Sequence, residues 1–294
     1  HIGKDYLVSK QLQKNGLKKK QLSISDAAIK EMISGYTKEA GVRELERTIG
    51  KVCRKAARMI LEDMERTDEE GSSSDKNTAS GKNKKTEALK LPIRVTGRNL
   101  PDFLGKRKYH DNPANKKDDV GIVRGLAWTE VGGDTLEVEV NTMPGEGDLK
   151  LTGQLGDVMK ESAQIALSLV RSLLPDENEF FKTHDFHLHV PEGAVPKDGP
   201  SAGVTMTTAL YSAVTGSPVR SHTAMTGEVT LRGRVLPIGG LKEKLLAAKQ
   251  AGIDQVMVPS ENRPDVDELE DEITEGLEIC YVDKVDQILK QVLQ

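Results

Sequence analysis

Aromatic residues make up only 3% of this 294-residue chain, with one Trp, five Tyr and four Phe. Any core must therefore be built from Leu, Ile, Val, Ala and Met. Cysteine is scarcer still. Cys53 and Cys280 fit neither a metal-ligand spacing nor a disulfide framework, and both are expected as small buried residues of a reducing compartment. No apolar run approaches the length of a membrane span, and the first residues lack the charged-then-apolar order of a secretory signal. No G-x-x-x-x-G-K-[ST] phosphate loop occurs, which excludes P-loop nucleotide binding by the residues present.

Charge is abundant and unevenly spread. The chain carries 42 Lys/Arg against 46 Asp/Glu, but residues 1–60 hold 14 basic against 6 acidic side chains. Lys18, Lys19, Lys20, Lys51, Arg54, Lys55 and Arg58 lie in that basic stretch and can form a cationic surface. Phosphate contacts need little beyond clustered cations, so nucleic-acid binding is one expectation, against an ordinary solvated helix face. No recognisable reader motif accompanies the cations.

Periodicity divides the chain. Ser25 is placed to cap a helix reaching about Ser34, with Ile29, Met32 and Ile33 spaced to pack together. Thr37 is placed to cap a longer helix with Val42, Leu45, Ile49, Val52, Cys53, Ala56 and Ile60 on one face. Residues 71–85 contain nothing apolar larger than alanine and read as a flexible polar insert. Residues 91–95 read as an extended return, and 111–119 as a polar linker. Beyond Gly121, strand-like runs such as Glu137–Val140 alternate with helical ones such as Met159–Leu174. The expected class is α+β: a mostly helical subdomain over 1–110, then a mixed α/β domain over 120–294.

The chemistry concentrates in two segments. Asp198-Gly199-Pro200-Ser201-Ala202-Gly203 places a serine between a strand-like run, Phe186–Val190, and a run of small and apolar residues from Ala202 to Thr215. A serine at a helix head has unpaired N–H groups nearby to stabilise an oxyanion. The same turn satisfies G-x-S-x-G. The α/β-hydrolase order fails, however, because no Asp or Glu separates Ser201 from His222, the one histidine that follows it. Taken alone, the turn could equally be a helix cap.

Lys244 supplies the second half. In Leu241–Gly252 the helical period gathers Leu241, Leu245, Ala247, Ala248 and Ala251 around Lys244, with Lys242 and Lys249 on the far side. Desolvation disfavours an ammonium, and a neutral lysine is a competent general base. The plainer alternative is a lysine that snorkels past alanines or pairs with a carboxylate. His187 and His189, two residues apart on one strand face, keep open a histidine base oriented by Asp198. They lack a third ligand for a metal site.

The run from His187 to Gly203 resembles the nucleophile region of Lon proteases, and the run from Met225 to Lys244 resembles that family's lysine region. Thr152–Ser162 is similar to a further family block, and Tyr36–Arg47 is similar to the helical lid of Lon's ATPase module. The resemblance implies a Ser201–Lys244 dyad, with Thr226 supporting the lysine and Asp198 on the acidic position before the serine. It places Arg43 at the lid's nucleotide-sensing arginine.

It also implies an ATP-dependent serine endopeptidase of protein quality control that degrades misfolded and regulatory proteins as a homohexamer. The compartment would be the cytoplasm in a bacterium, or the mitochondrial matrix in a eukaryote. Without a phosphate loop the chain reads as a fragment, lid plus protease. ATP and Mg would belong to the parent, and no cofactor is expected for peptide cleavage. Expected partners are peptides, unfolded protein and further copies of the chain, with DNA through the lid, and no membrane. The alternatives are a DNA-binding or assembly module, or a serine hydrolase with a histidine base.

Overall fold

The computed structural model describes residues 1–37, 39, 41–72, 89–109, 113–129, 131–192 and 195–294. They form two compact units, His1–Asp111 and Asn112–Gln294. Most of the expected polar insert, from residue 73, lies outside the described residues, and so do positions 111 and 112 of the expected linker.

The first unit is helical. It contains α1 (Val8–Lys14), β1 (Leu22–Ile24), α2 (Asp26–Met32), α3 (Arg43–Ser72), β2 (Ile93–Val95) and α4 (Leu100–Leu104). Ser25 caps α2, its Oγ accepting from the Ala28 N–H at 3.1 Å. The helix then widens into a π-turn over Ile33–Thr37, which shifts the side-chain phase and leaves Ile33 exposed rather than packed with Met32. Thr37 does not cap α3. Glu39 does so instead, its carboxylate accepting from the N–H groups of Glu44 and Leu45 at 3.0 and 2.8 Å. Val42 precedes the helix and is exposed, whereas Leu45, Ile49, Val52, Cys53, Ala56 and Ile60 are all buried on one face. The extended return, β2, pairs in parallel with β1.

The second unit is a seven-stranded sheet with helices on both faces. Its strands are β3 (Ile122–Thr129), β4 (Gly132–Pro144), β5 (Leu149–Thr152), β6 (His184–His189), β7 (Thr223–Met225), β10 (Gln255–Pro259) and β11 (Glu278–Val282). Their spatial order is β11-β10-β7-β3-β4-β6-β5, and β4 alone runs against the others. A separate hairpin joins β8 (Glu228–Val229) to β9 (Val235–Leu236). The helices are α5 (Asp157–Leu173), α6 (Asn178–Thr183), α7 (Gly203–Thr215), α8 (Leu241–Ala251), α9 (Arg263–Asp267), α10 (Asp271–Thr274) and α11 (Val285–Val292).

Alternation along the strands divides the core into two layers. Val123, Met225 and Met257 join α5, α7 and α11 in one apolar cluster. Leu126, Ala224, Val256 and Val258 join α8, α9 and α10 in the other. Helix α7 is buried continuously from Gly203 to Leu210, as expected of a helix apolar all round. The segment 113–119 is bound into this unit: the Ala114 N–H donates to Ala251 O at 2.8 Å, and Asp119 bridges Val219. Cys53 is buried, but Cys280 is only half-buried. Among the described residues, no helix is long and apolar enough to cross a membrane.

Asp185 pins the β4–β5 loop to β6. Its carboxylate accepts from Lys150 Nζ at 2.8 Å and from the N–H groups of Glu146 and Asp148 at 2.9 and 3.1 Å. These bonds, that from Lys150 foremost, hold its pKa down at about 2. A depressed carboxylate pKa stabilises the fold above the unfolded value of 3.8, and the benefit disappears as pH falls through about 2. Asp185→Asn should therefore be less stable than the parent at pH 7. Denaturant titrations should show that gap closing as pH is lowered toward 2; a constant gap would refute the assignment.

Candidate active site

Ser201 lies in the 3₁₀ turn Pro200–Ala202 that leads into α7. The turn enters through Gly199 at φ 131°, a conformation that β-carbon-bearing residues rarely adopt. A β-carbon at Gly203 would come within 2.9 Å of the Val229 main chain, so glycine lets the head of α7 sit directly on β8. Two main-chain bonds lock this contact. The Gly227 N–H donates to Ser201 O at 2.9 Å, and the Val204 N–H donates to Gly227 O at 3.1 Å.

Thr226, one residue before Gly227, brings in the lysine. Its N–H donates to Met257 O at 3.1 Å, and its Oγ1 accepts from Lys244 Nζ at 3.0 Å. Lys244 is 2% exposed on α8, within the apolar face that its spacing predicts, while Lys242 and Lys249 are exposed. Burial pushes the Lys244 ammonium down to a pKa of about 8. Ser201 and Lys244 line one cleft of about 960 Å³.

Asp198 lines the same cleft, but its bonds lead elsewhere. Its Oδ1 accepts from the N–H groups of Met159 at 3.0 Å and Gly199 at 2.9 Å, which ties the nucleophile turn to the first turn of α5. His187 and His189 stand outside the cleft on β6. Both meet the Thr152 hydroxyl, at 3.0 Å from His187 Nε2 and 2.6 Å from His189 Nδ1. Among the described residues, no group of three His, Cys, Asp or Glu side chains could hold a metal ion.

In the first unit, Arg43 heads α3 over a groove of about 320 Å³ that it shares with Lys14, Arg47 and Arg54. Lys18, Lys19, Lys20, Lys51, Arg54, Lys55 and Arg58 are all exposed, and Arg58 Nε pairs with Glu62 at 2.6 Å.

Three contributors to the cleft are not singled out as site residues by the sequence. Met159 offers its main-chain N–H to Asp198. Lys197 staples the cleft segment by donating to Glu192 O and Val195 O at 2.8 and 3.1 Å. Glu137 lines the cleft with Arg124 behind it. Strand alternation around Arg124 was the one available signal, and it does not reveal which strand lies alongside.

Comparison with known proteins covers both units. The profile of the Lon protease C-terminal proteolytic domain matches residues 94–294, and that of the Lon protease AAA+ ATPase lid domain matches residues 13–69. The chain is 54% identical over 310 residues to a Lon protease of Lachnoclostridium phytofermentans, covering 100% of this chain and 38% of that protein. It is 49% identical over 296 residues to a Lon protease of Bacillus thuringiensis (100% and 34% covered). It is 48% identical over 295 residues to Lon protease 1 of Bacillus subtilis (99% and 35% covered). The chain thus spans about a third of the length of the curated relatives it matches.

Proposed function

The chain belongs to the Lon protease family, and from that premise we propose that it is a serine endopeptidase in which Ser201 is the nucleophile and Lys244 its base. The observation that carries this proposal is the burial of Lys244, with only the Thr226 hydroxyl as its side-chain partner among the described residues, in the cleft that holds Ser201. A buried ammonium is costly, and neutralisation relieves that cost while producing a base.

The cycle has two halves. Neutral Lys244 takes the Ser201 hydroxyl proton as Oγ attacks a peptide carbonyl carbon. The oxyanion faces the head of α7. There the Gly199 N–H is occupied by Asp198, Pro200 has none and the Ala202 N–H closes the 3₁₀ turn onto Gly199 O, so the N–H of Ser201 is the proposed donor. The Lys244 ammonium, bonded to Thr226, gives its proton to the leaving amine. Water then attacks the acyl-serine with Lys244 again as base, restoring the hydroxyl and releasing the acid. Asp198 holds the turn against α5.

The whole protein, by this reading, uses ATP to feed unfolded segments into a ring of these domains. Arg43 and its neighbouring cations offer charge, but the sequence has no glycine loop to cradle phosphates. A complete nucleotide site does not fit the residues present, and no step here passes through ATP. The chain itself is expected to cleave peptides and unfolded protein.

A pH profile tests the base. Because Lys244 must be neutral, kcat/KM for an unstructured quenched peptide should rise about tenfold per pH unit and level off above about 8. A plateau already reached near pH 7 would assign the base to a histidine, whose ordinary pKa is about 6.5.

A further inference from the structure

Strand β6 accompanies only the second half of β4. Their antiparallel ladder ends where Glu139 faces His189. In that register Pro191 would come next opposite Glu137, and proline has no N–H to donate. The chain departs there into the segment that leads to Ser201. On its other side β4 stays paired with β3 as far as Gly132.

Antiparallel bonding alternates, and this decides where the β4 main chain points. The Val140 N–H donates to Gly121 O at 2.8 Å, next to the β3 ladder. In the same phase Val138, Leu136 and Asp134 direct their N–H and C=O toward β3, and Glu137 directs both away from it. Glu137 lines the cleft that contains Ser201 and Lys244. An extended peptide entering this cleft meets a strand edge at Glu137 that is open among the described residues.

The side chain at this position is also unusual. Arg124 lies directly across the ladder from Glu137 and is 4% exposed. Its Nη2 donates to Glu137 Oε2 at 2.9 Å and to Asn115 Oδ1 at 2.5 Å, and its Nη1 donates to Thr135 Oγ1 at 3.4 Å. Glu139 stands beside Glu137 on the same sheet face. Burial and then Glu139 hold the Glu137 carboxyl above the usual range, against the pull of Arg124. Asp134 and Glu192, which line the same cleft, act on the one Arg124 guanidinium together with Glu137, so carboxylates outnumber that cation here. The cleft's own lysines are engaged: Lys197 with the carbonyls of its segment, and Lys244 with Thr226.

Resting on the endopeptidase reading, we propose that Glu137 is a specificity-determining residue, which holds a substrate strand on the open edge of β4 in the register that sets a Lys or Arg side chain beside its carboxylate. Opposite charges directly across a ladder attract, and like charges repel. Arg124 is the positioning residue that fixes the carboxylate on this face. The substrate class selected is a peptide with a cationic residue at one fixed distance from the scissile bond.

The test reads binding rather than hydrolysis. Short peptides of Ala, Ser and Leu, with a single lysine moved one position at a time, are titrated against the full Ser201→Ala chain by fluorescence anisotropy. Lysine at one register should tighten binding about fivefold, the size of an opposite-charge cross-strand pair, and glutamate there should weaken it. Glu137→Gln in the same chain should flatten the scan. A flat scan in Ser201→Ala, absence of binding included, overturns the proposal, and so does a lysine preference that survives Glu137→Gln. Should Glu137→Gln fold poorly, a salt series on Ser201→Ala decides. The lysine preference should shrink between about 0.01 M and about 1 M salt, over which the screening length falls from about 30 to about 3 Å, and a salt-independent preference overturns the proposal. Failure of the wild type to cleave any peptide would refute the endopeptidase reading and leave this binding result standing.

Discussion

Lys244→Met is expected to abolish peptide cleavage and at the same time make the folded chain more stable at pH 7. The activity loss should be at least about 10⁴-fold, because removing the base from a nucleophile–base unit costs nearly as much as removing the whole unit. The stability gain has a separate cause. The folded pKa of Lys244 is about 8, below the ordinary 10.5, so the folded state binds fewer protons than the unfolded state. Folding is then penalised fully below about 8, and the penalty disappears as pH rises through 10.5. Its size at pH 7 is on the order of 3 kcal/mol, and methionine fills a similar volume without a charge. Urea titrations of both proteins at pH 7 and at pH 10 check this. The gap should be large at the lower pH and small at the higher. A variant less stable than the parent at pH 7 would mean that the native state favours the ammonium, and the neutral-base argument would fail.

Ser201→Ala should lose cleavage to the same degree without the gain in stability. Ser201 is half-buried, and its main chain, rather than its hydroxyl, carries the bond from Gly227. The change in folding free energy should stay within about 0.5 kcal/mol. Mass spectrometry of an unstructured protein after incubation should show fragments with the parent and none with Ser201→Ala or Lys244→Met. The double variant should be no worse than either single one, since the pair acts as a unit. Cleavage that persists in Lys244→Met but not in Ser201→Ala would transfer the base to a histidine. The positions of His187 and His189, bonded to Thr152 on β5, argue against that outcome.

Legibility followed the range of the interactions involved. Helices α5 and α8 were evident because ten or more residues repeat at the helical period, and the strand at His184–His189 because its alternation is local. Strands β1, β7, β8 and β9 span two or three residues each, too few for a pattern. The cap of α3 was misplaced because Glu39 reaches forward to Glu44 and Leu45, a span that no one-residue capping signal describes. Ile33 was assigned to the packed face because a π-turn leaves no mark on hydrophobic spacing. The role of Asp198 was similarly hidden. Its partner is the main-chain N–H of Met159, and any residue but proline has one.

By itself, the sequence determined that residue 244 is a lysine centred on the apolar face of a helix, and that residue 201 is a serine at a glycine-framed helix head. Both are local consequences of backbone geometry and residue type. The tertiary structure alone decided that these two share a cleft, and that Thr226 meets the lysine from 18 positions away. It alone placed Glu137 on a strand edge that is open among the described residues, with Arg124 behind it. Those juxtapositions depend on which strands pair and in what register, and that is settled by packing the two apolar layers around one sheet.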